Sequence, residues 1–330
     1  MTRARPTEDE LIAHYFAPLA GEAGLHLKDD AARFSVPDKS ELVVTVDALV
    51  AGVHFFADDP ASSIGEKALG VNLSDLAAKG AEPLGFLLAL ALPQDWTPDF
   101  LRDFADGLGT MAKLHFCPLI GGDTTRTPGP LTISITAFGY VPKGKMVPRT
   151  TAKPGDVIAV TGTIGDAALG LKIRSHPESE WVSALSENDY GFLLNRYLRP
   201  KPRNDFALAL REYARAAMDV SDGLIGDCAK MLRASGVTGE IDMERVPLSA
   251  AAKAAISEQP TLLADAVTGG DDYEILFTAP PNAIPALQEA GRQIKLPVTV
   301  IGEVKAGHEP LAVRNRGETF LTSSGSYSHF

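Results

Sequence analysis

Aspartates recur in this sequence at positions where a solvated surface carboxylate is not the expected occupant. Val71–Gly80, VNLSDLAAKG, has helical spacing that places Asn72, Asp75 and Lys79 on one stripe. Leu69, Leu73, Leu76 and Ala77 fall on another. Asp29-Asp30, Asp47, Asp123, Asp219 and Asp222 also lie at predicted element ends or inside apolar segments. Carboxylates directed at one place repel each other unless cations separate them. The pattern predicts a divalent-metal site serving phosphate chemistry.

Three further segments could do chemistry. In GGDTTR (Gly121–Arg126), read as a Gly-Asp turn, the glycines allow close backbone approach. Asp123 can hold a metal there, Thr124 and Thr125 offer hydroxyls, and Arg126 can neutralise phosphate. In AMDVSDGL (Ala217–Leu224), Asp219 and Ser221 share a strand face and Asp222 starts the next helix, where Ser221 or Asp222 would equally serve as a cap. Asp219 sits in an apolar run and needs a partner. In TGGDDYEILF (Thr268–Phe277), Asp271 and Asp272 could meet a substrate. His54 follows the Asp47 strand, and GTIGD (Gly162–Asp166) stands between a strand and a helix, as anion contacts do. Gly139–Lys145 imitates a P-loop, but Met146 replaces the required Ser/Thr and Pro148 and Pro154 forbid the helix.

The elements that must position these groups are legible from periodicity. A capped helix is predicted over 7–20, with Thr7 at its N-cap and Glu10 three residues on. A strand or turn pair follows around Asp29-Asp30. Val43–Val50 reads as a strand with Val43, Thr45 and Asp47 on one face. Then come a helix over 64–80, a fully apolar and therefore buried strand over 84–92, a helix over 98–114 and a strand over 131–141. Val141–Asp156 is crowded with Pro, Gly and Lys and marks a domain boundary. Beyond it, a strand over 157–161, helices to about 215, a strand-turn-helix over 216–234 and a Gly-rich turn into a strand over 268–278 are expected. Ser-Asp followed later by Gly-Gly-Asp in both halves, at nearly equal spacing, points to an internal duplication.

Composition bounds the function. The 330 residues are ample for two α/β domains. Lys+Arg 31 against Asp+Glu 42 gives a net charge of −11, which argues against nucleic acid or an anionic membrane as partner. Two separated cysteines, Cys117 and Cys228, fit a reducing cytoplasm. The apolar run Leu84–Leu92 is too short to span a membrane, and Glu8, Asp9 and Glu10 precede any signal-like stretch.

DDAA (29–32), TVDALVAGVHF (45–55), VNLSDLAAKGAEP (71–83), GGDTTR (121–126), RTTAKPGD (149–156), DVSDGL (219–224) and GGDDYEI (269–275) occur in this order. Together they resemble the thiamine-monophosphate kinase family, of the superfamily that includes aminoimidazole ribonucleotide synthetase. The resemblance implies an α/β subunit of two domains. Residues 1–145 would bind ATP and metal and dimerise, pairing sheets into a barrel, and residues 146–330 would form a mixed α/β domain. It assigns Asp30, Thr45, Asp47, Asp75, Asp123, Asp219 and Asp222 to several Mg²⁺ ions, with the backbone at Val46. Gly122, Asp123, Arg149 and Ser221 match ATP contacts, and His54 and Asp271 match residues near thiamine monophosphate. Lys28 stands where the family has Gly, and the tail LTSSGSYSHF has Ser in place of an aromatic, unless Tyr327 substitutes.

The implied reaction moves the γ-phosphoryl of ATP onto the phosphate of thiamine monophosphate, an acceptor that needs no general base. Two other readings stay open: a purine-precursor cyclo-ligase of the same superfamily, and a non-catalytic regulator binding thiamine phosphate or nucleotide. ADP release that depends on thiamine monophosphate separates all three.

Overall fold

The computed structural model describes residues 6–29 and 31–320. The chain divides into two units, the first running to Leu76 and including Ala81–Gly144, the second formed by Ala77–Gly80 and the chain from Lys145 onward.

In the first unit, helix α1 (Glu8–Leu11) opens with a capping box: Thr7 Oγ1 accepts from the Glu10 N–H, and Glu10 Oε2 accepts from the Thr7 N–H at 2.8 Å. The helix expected over 7–20 does not continue as α. It loosens into a π turn at Ile12–Phe16 and tightens into a 3₁₀ turn at Ala17–Leu19, where Pro18 has no N–H to donate. No strand forms around Asp29 among the described residues; the first is β1 (Ser40–Val50).

A four-stranded sheet follows in the order β1-β4-β2-β3, with β2 at Glu82–Leu92, β3 at Leu119–Arg126 and β4 at Thr132–Pro142. Alternation sorts its faces as a half-buried sheet requires. Val43, Leu49, Ile133, Ile135 and Ala137 are buried, whereas Leu42, Val44 and Val46 are 43%, 52% and 60% exposed. Thr45 and Asp47 share the face of Val43 and Leu49 and meet helix α2 (Ala61–Ala78) there. The 84–92 run is not buried on both sides. Phe86, Leu88, Leu90 and Leu92 are inside, but Ala89 is exposed, because the sheet carries a buried layer on one face.

Gly121–Arg126, expected as a turn, is the body of β3, parallel to β2. Glycine is required there: a Cβ on Gly122 would lie 2.0 Å from the Leu88 carbonyl oxygen. A second close approach joins α2 to α3 (Pro98–Leu114), where a Cβ on Gly107 would sit 1.9 Å from the Ser62 carbonyl.

The second unit runs β5 (Val157–Thr161), α4 (Asp166–Ser175), α5 (Glu180–Ser183), α6 (Glu187–Leu198), α7 (Ala207–Tyr213), β6 (Ala216–Asp219), α8 (Leu224–Ala234) and β7 (Thr238–Asp242). It continues with α9 (Ala250–Glu258), α10 (Leu262–Thr268), β8 (Ile275–Ala279), α11 (Ile284–Gln293), β9 (Val298–Lys305), β10 (Ala312–Asn315) and β11 (Glu318–Thr319). The seven strands lie in the order β11-β10-β7-β9-β5-β8-β6, antiparallel except for β10 beside β7. Ile158, Val160, Met218 and Leu276 enter one apolar cluster, while Ala159, Ala217 and Phe277 enter another, so the sheet is covered on both faces. The Gly-rich turn into a strand expected over 268–278 is present: α10 ends at Thr268, residues 269–274 run as a loop, and β8 begins at Ile275. The Ser-Asp and Gly-Gly-Asp echoes do not occupy matching elements. Asp75 is inside α2 and Asp222 in a turn before α8, while Asp123 is on β3 and Asp271 in a loop.

Gly107→Ala should push α2 and α3 apart. A loss of about 1–3 kcal/mol in urea unfolding is expected, with a lowered midpoint and an unchanged slope.

Candidate active site

In the first unit, the candidate residues meet where β1 faces α2. Thr45 Oγ1 donates to Asp75 Oδ2 at 2.5 Å, and Asp47 N–H donates to Asn72 Oδ1 at 3.1 Å. Asn72 is fully buried and its own amide donates to the Ala68 carbonyl at 3.1 Å, so its oxygen points at β1 by hydrogen bonding. The stripe predicted on α2 is therefore turned to the sheet. Lys79 leaves it: α2 ends at Ala78, and the Lys79 ammonium donates to the Ala217 carbonyl at 2.6 Å inside the second unit. The Val46 side chain lies on the opposite, exposed face.

Asp123 and Gly122 open onto a cavity of about 810 Å³ between the N-terminal segment and the sheet, lined also by Asp29, Phe34, Leu87 and Thr136. Asp30 lies outside the described residues, as does the 321–330 tail with Tyr327. His54 sits in the turn after β1, where its Nδ1 accepts from the Val50 N–H at 3.0 Å. In the neutral ring the proton is then on Nε2.

In the second unit, two loops join at the ends of β6 and β8. Asp271 N–H donates to the Ser221 carbonyl at 2.9 Å, and Tyr273 N–H to the Val220 carbonyl at 2.9 Å. Asp271 has φ 71°, and its carboxylate accepts from the Tyr273 hydroxyl at 3.1 Å. Asp219, the last residue of β6, is nearly buried. Arg149 is exposed, and its segment is anchored by Ala217 N–H to the Pro148 carbonyl at 3.2 Å and by Ser235 Oγ to the Arg149 carbonyl at 3.2 Å.

Sequence reasoning missed the residues that hold this loop. Asp227, fully buried in the first turn of α8, accepts through Oδ2 from the N–H groups of Ser221, Asp222 and Gly223 at 3.1, 2.9 and 3.2 Å. Burial raises its carboxyl above the ordinary range despite those donors and Lys230. Lys230 donates to Asp222 Oδ2 at 2.5 Å and to Asp227 Oδ1 at 3.1 Å. An acid in a helix's first turn with a lysine three residues on is a visible signal for such a pair.

Asp272, named as a possible substrate contact, is instead structural. It is fully buried and accepts from the N–H groups of Gly165 at 2.6 Å and Ala167 at 3.2 Å, so the GTIGD helix start is occupied by the protein's own carboxyl group. Beside it, buried Glu274 accepts from Thr161 Oγ1 at 2.7 Å, from Arg196 at 3.1 Å and from Arg203.

The donor chemistry suits a hard cation in the first unit: Asp47, Asp75 and Thr45 supply oxygens on facing elements. Magnesium is commonly held by one or two carboxylates, with water and phosphate filling its shell. Among the described residues, no three His, Cys, Asp or Glu side chains gather as a complete cage.

Two family models match the chain: AIR synthase related protein, N-terminal domain, over residues 28–141, and AIR synthase related protein, C-terminal domain, over 153–313. Fold and matches define the class, a two-domain protein of the AIR synthase related type. Thiamine-monophosphate kinase of Salmonella typhimurium strain LT2 is 40% identical over 98% of both chains. The solved structure of thiamine-monophosphate kinase from Stenotrophomonas maltophilia K279a is 41% identical, with a TM-score of 0.80 over 89% of this chain and 91% of that one. A structure described as AaThiL complexed with AMPPCP and TMP is 30% identical, with a TM-score of 0.77 over the whole of both chains. The chain belongs to the thiamine-monophosphate kinase family.

Burial holds the Asp272 carboxyl well above its ordinary value. A group that binds its proton more tightly in the fold stabilises fully below its unfolded value and loses that contribution as pH rises through the folded one. Stability measured by urea unfolding at stepped pH should therefore fall, from pH 4 to 7, more in the wild type than in Asp272→Asn.

Proposed function

We propose that this protein transfers the γ-phosphoryl group of ATP to the phosphate of thiamine monophosphate, yielding thiamine diphosphate and ADP. The full-length likeness to thiamine-monophosphate kinases carries the reading, at 40% identity over 98% of the chain. The two family models enclose every candidate residue except Arg149, which lies in the stretch between them.

On this reading Asp30, Thr45, Asp47, Asp75 and Asp123, with the Val46 backbone carbonyl, hold Mg²⁺, as do Asp219 and Asp222. When bound, the ions offset phosphate charge and the charge that develops during transfer. Gly122 lets the nucleotide approach the backbone of β3, and Asp123 and Ser221 border it. The exposed Arg149 offers planar donors to its phosphates. His54 and Asp271 face thiamine monophosphate. The acceptor is a phosphate oxygen whose second proton leaves near pH 6, so it is already ionised at neutral pH and no side chain has to remove a proton. The chain's own task is positioning: Asn72 fixes β1 against α2, and Asp227 fixes the Ser221–Gly223 loop.

The same reading includes a homodimer joined through the first unit's sheet, supported by the exposed row Leu42, Val44 and Val46 on β1. It also places the enzyme in the cytoplasm, consistent with two buried free cysteines, Cys117 and Cys228. Among the described residues no helix is long and apolar enough to cross a membrane.

ADP release should require both ATP–Mg²⁺ and thiamine monophosphate, with the diphosphate identified by mass; release without it, or binding of both ligands without turnover, would overturn the reading. Asp75→Asn should lower turnover about 100-fold or more while the unfolding midpoint stays within a few degrees. Arg149→Ala should weaken ATP more than thiamine monophosphate when each is titrated calorimetrically.

A further inference from the structure

Asp222, one of the carboxylates assigned to metal, already carries a cation. Lys230 Nζ lies 2.5 Å from Asp222 Oδ2 and 3.1 Å from Asp227 Oδ1, so one ammonium bridges two carboxylates. The three are unequally placed. Asp227 is fully buried and bound by three backbone N–H groups, whereas the Asp222 and Lys230 side chains are 40% and 32% exposed. Asp227 is thus a fixed anchor, and the Lys230–Asp222 contact is the part that water and ions can reach. An ammonium on a four-carbon stem can leave one oxygen and keep the other, because Asp227 holds its second contact.

We infer that Lys230 is the resident counter-ion of the Ser221–Gly223 loop. It neutralises Asp222 before metal arrives, and a divalent ion that takes Asp222 Oδ2 does so by displacing the ammonium onto Asp227 alone. The inference rests on the reading that Asp222 holds metal. Two consequences follow from charge. With Lys230 in place, the Asp222–Asp227 pair does not splay by mutual repulsion while the site waits for nucleotide. The same contact competes with the metal, so Lys230 sets the divalent-ion concentration at which this loop is occupied. Half-exposed ion pairs are worth about 0.2–1 kcal/mol, which converts to a change of up to about fivefold in metal affinity.

The test is Mn²⁺ binding to the full chain, read from the electron paramagnetic resonance of free Mn²⁺, with and without the ATP analogue AMPPCP. Wild type, Lys230→Met, Lys230→Arg and Asp222→Asn are compared, after unfolding midpoints confirm that each is folded. Lys230→Met keeps the apolar stem and should tighten Mn²⁺ about two- to fivefold, Lys230→Arg should stay near wild type, and Asp222→Asn should weaken it. If Asp222→Asn weakens Mn²⁺ while Lys230→Met leaves it unchanged or weaker, the counter-ion role is overturned and the metal reading of Asp222 stands. If Asp222→Asn has no effect, that metal reading falls, and the counter-ion role falls with it.

Discussion

A buried carboxylate must be given donors, and much of the second unit is arranged around that requirement. Asp227 takes three backbone N–H groups, Asp272 takes two, and Glu274 takes a hydroxyl and two guanidinium groups. Each ties together segments distant in sequence: Asp272 joins the β8 approach to the start of α4, and Glu274 joins it to β5 and α6. Removing one partner would leave a charge in low dielectric, so these contacts fix loop shape more firmly than their net contribution to stability suggests. The loops so fixed are the ones that carry Ser221, Asp222 and Asp271, next to Asp219 at the end of β6.

Two populations of acid therefore coexist here. Asp166, Asp227 and Asp272 are consumed by the fold, and burial raises their carboxyls above the ordinary range. Asp123 opens to a cavity and Asp222 is partly exposed, and these keep oxygens within reach of a ligand. Sequence alone did not separate them: in GGDDYE the adjacent Asp271 and Asp272 read alike, yet one borders solvent and the other has no exposure at all. The distinction is made by Gly165 and Ala167, more than a hundred residues earlier.

What was legible followed local physics. The Thr7–Glu10 capping box, the alternation of β1 and the helix over 98–114 depend on residues a few positions apart, and the structure shows each. The seven ordered motifs pointed to the family that the full-length comparisons show. What was not legible depends on partners far away. GGDTTR looks like a turn because two glycines precede an aspartate. It is a strand because those glycines let β3 lie against the Leu88 carbonyl. The capped helix over 7–20 is present in extent but not in type: it passes from α to π to 3₁₀, and Pro18 in the last turn has no N–H for an α ladder.

Charge decides how such a chain can handle phosphates at all. A net charge of −11 repels polyanionic substrates at long range, and unscreened carboxylates at the site would add about 4 kcal/mol per close unit-charge pair at an effective dielectric near 20. Favourable binding thus requires positive charge delivered locally, by bound cations, by Arg149 or by both. Several of the second unit's cations are already engaged by its own acids: Arg196 and Arg203 by Glu274, Arg215 by Asp156, and Lys230 by Asp222 and Asp227. Exchangeable metal ions are then the natural complement to the exposed aspartates.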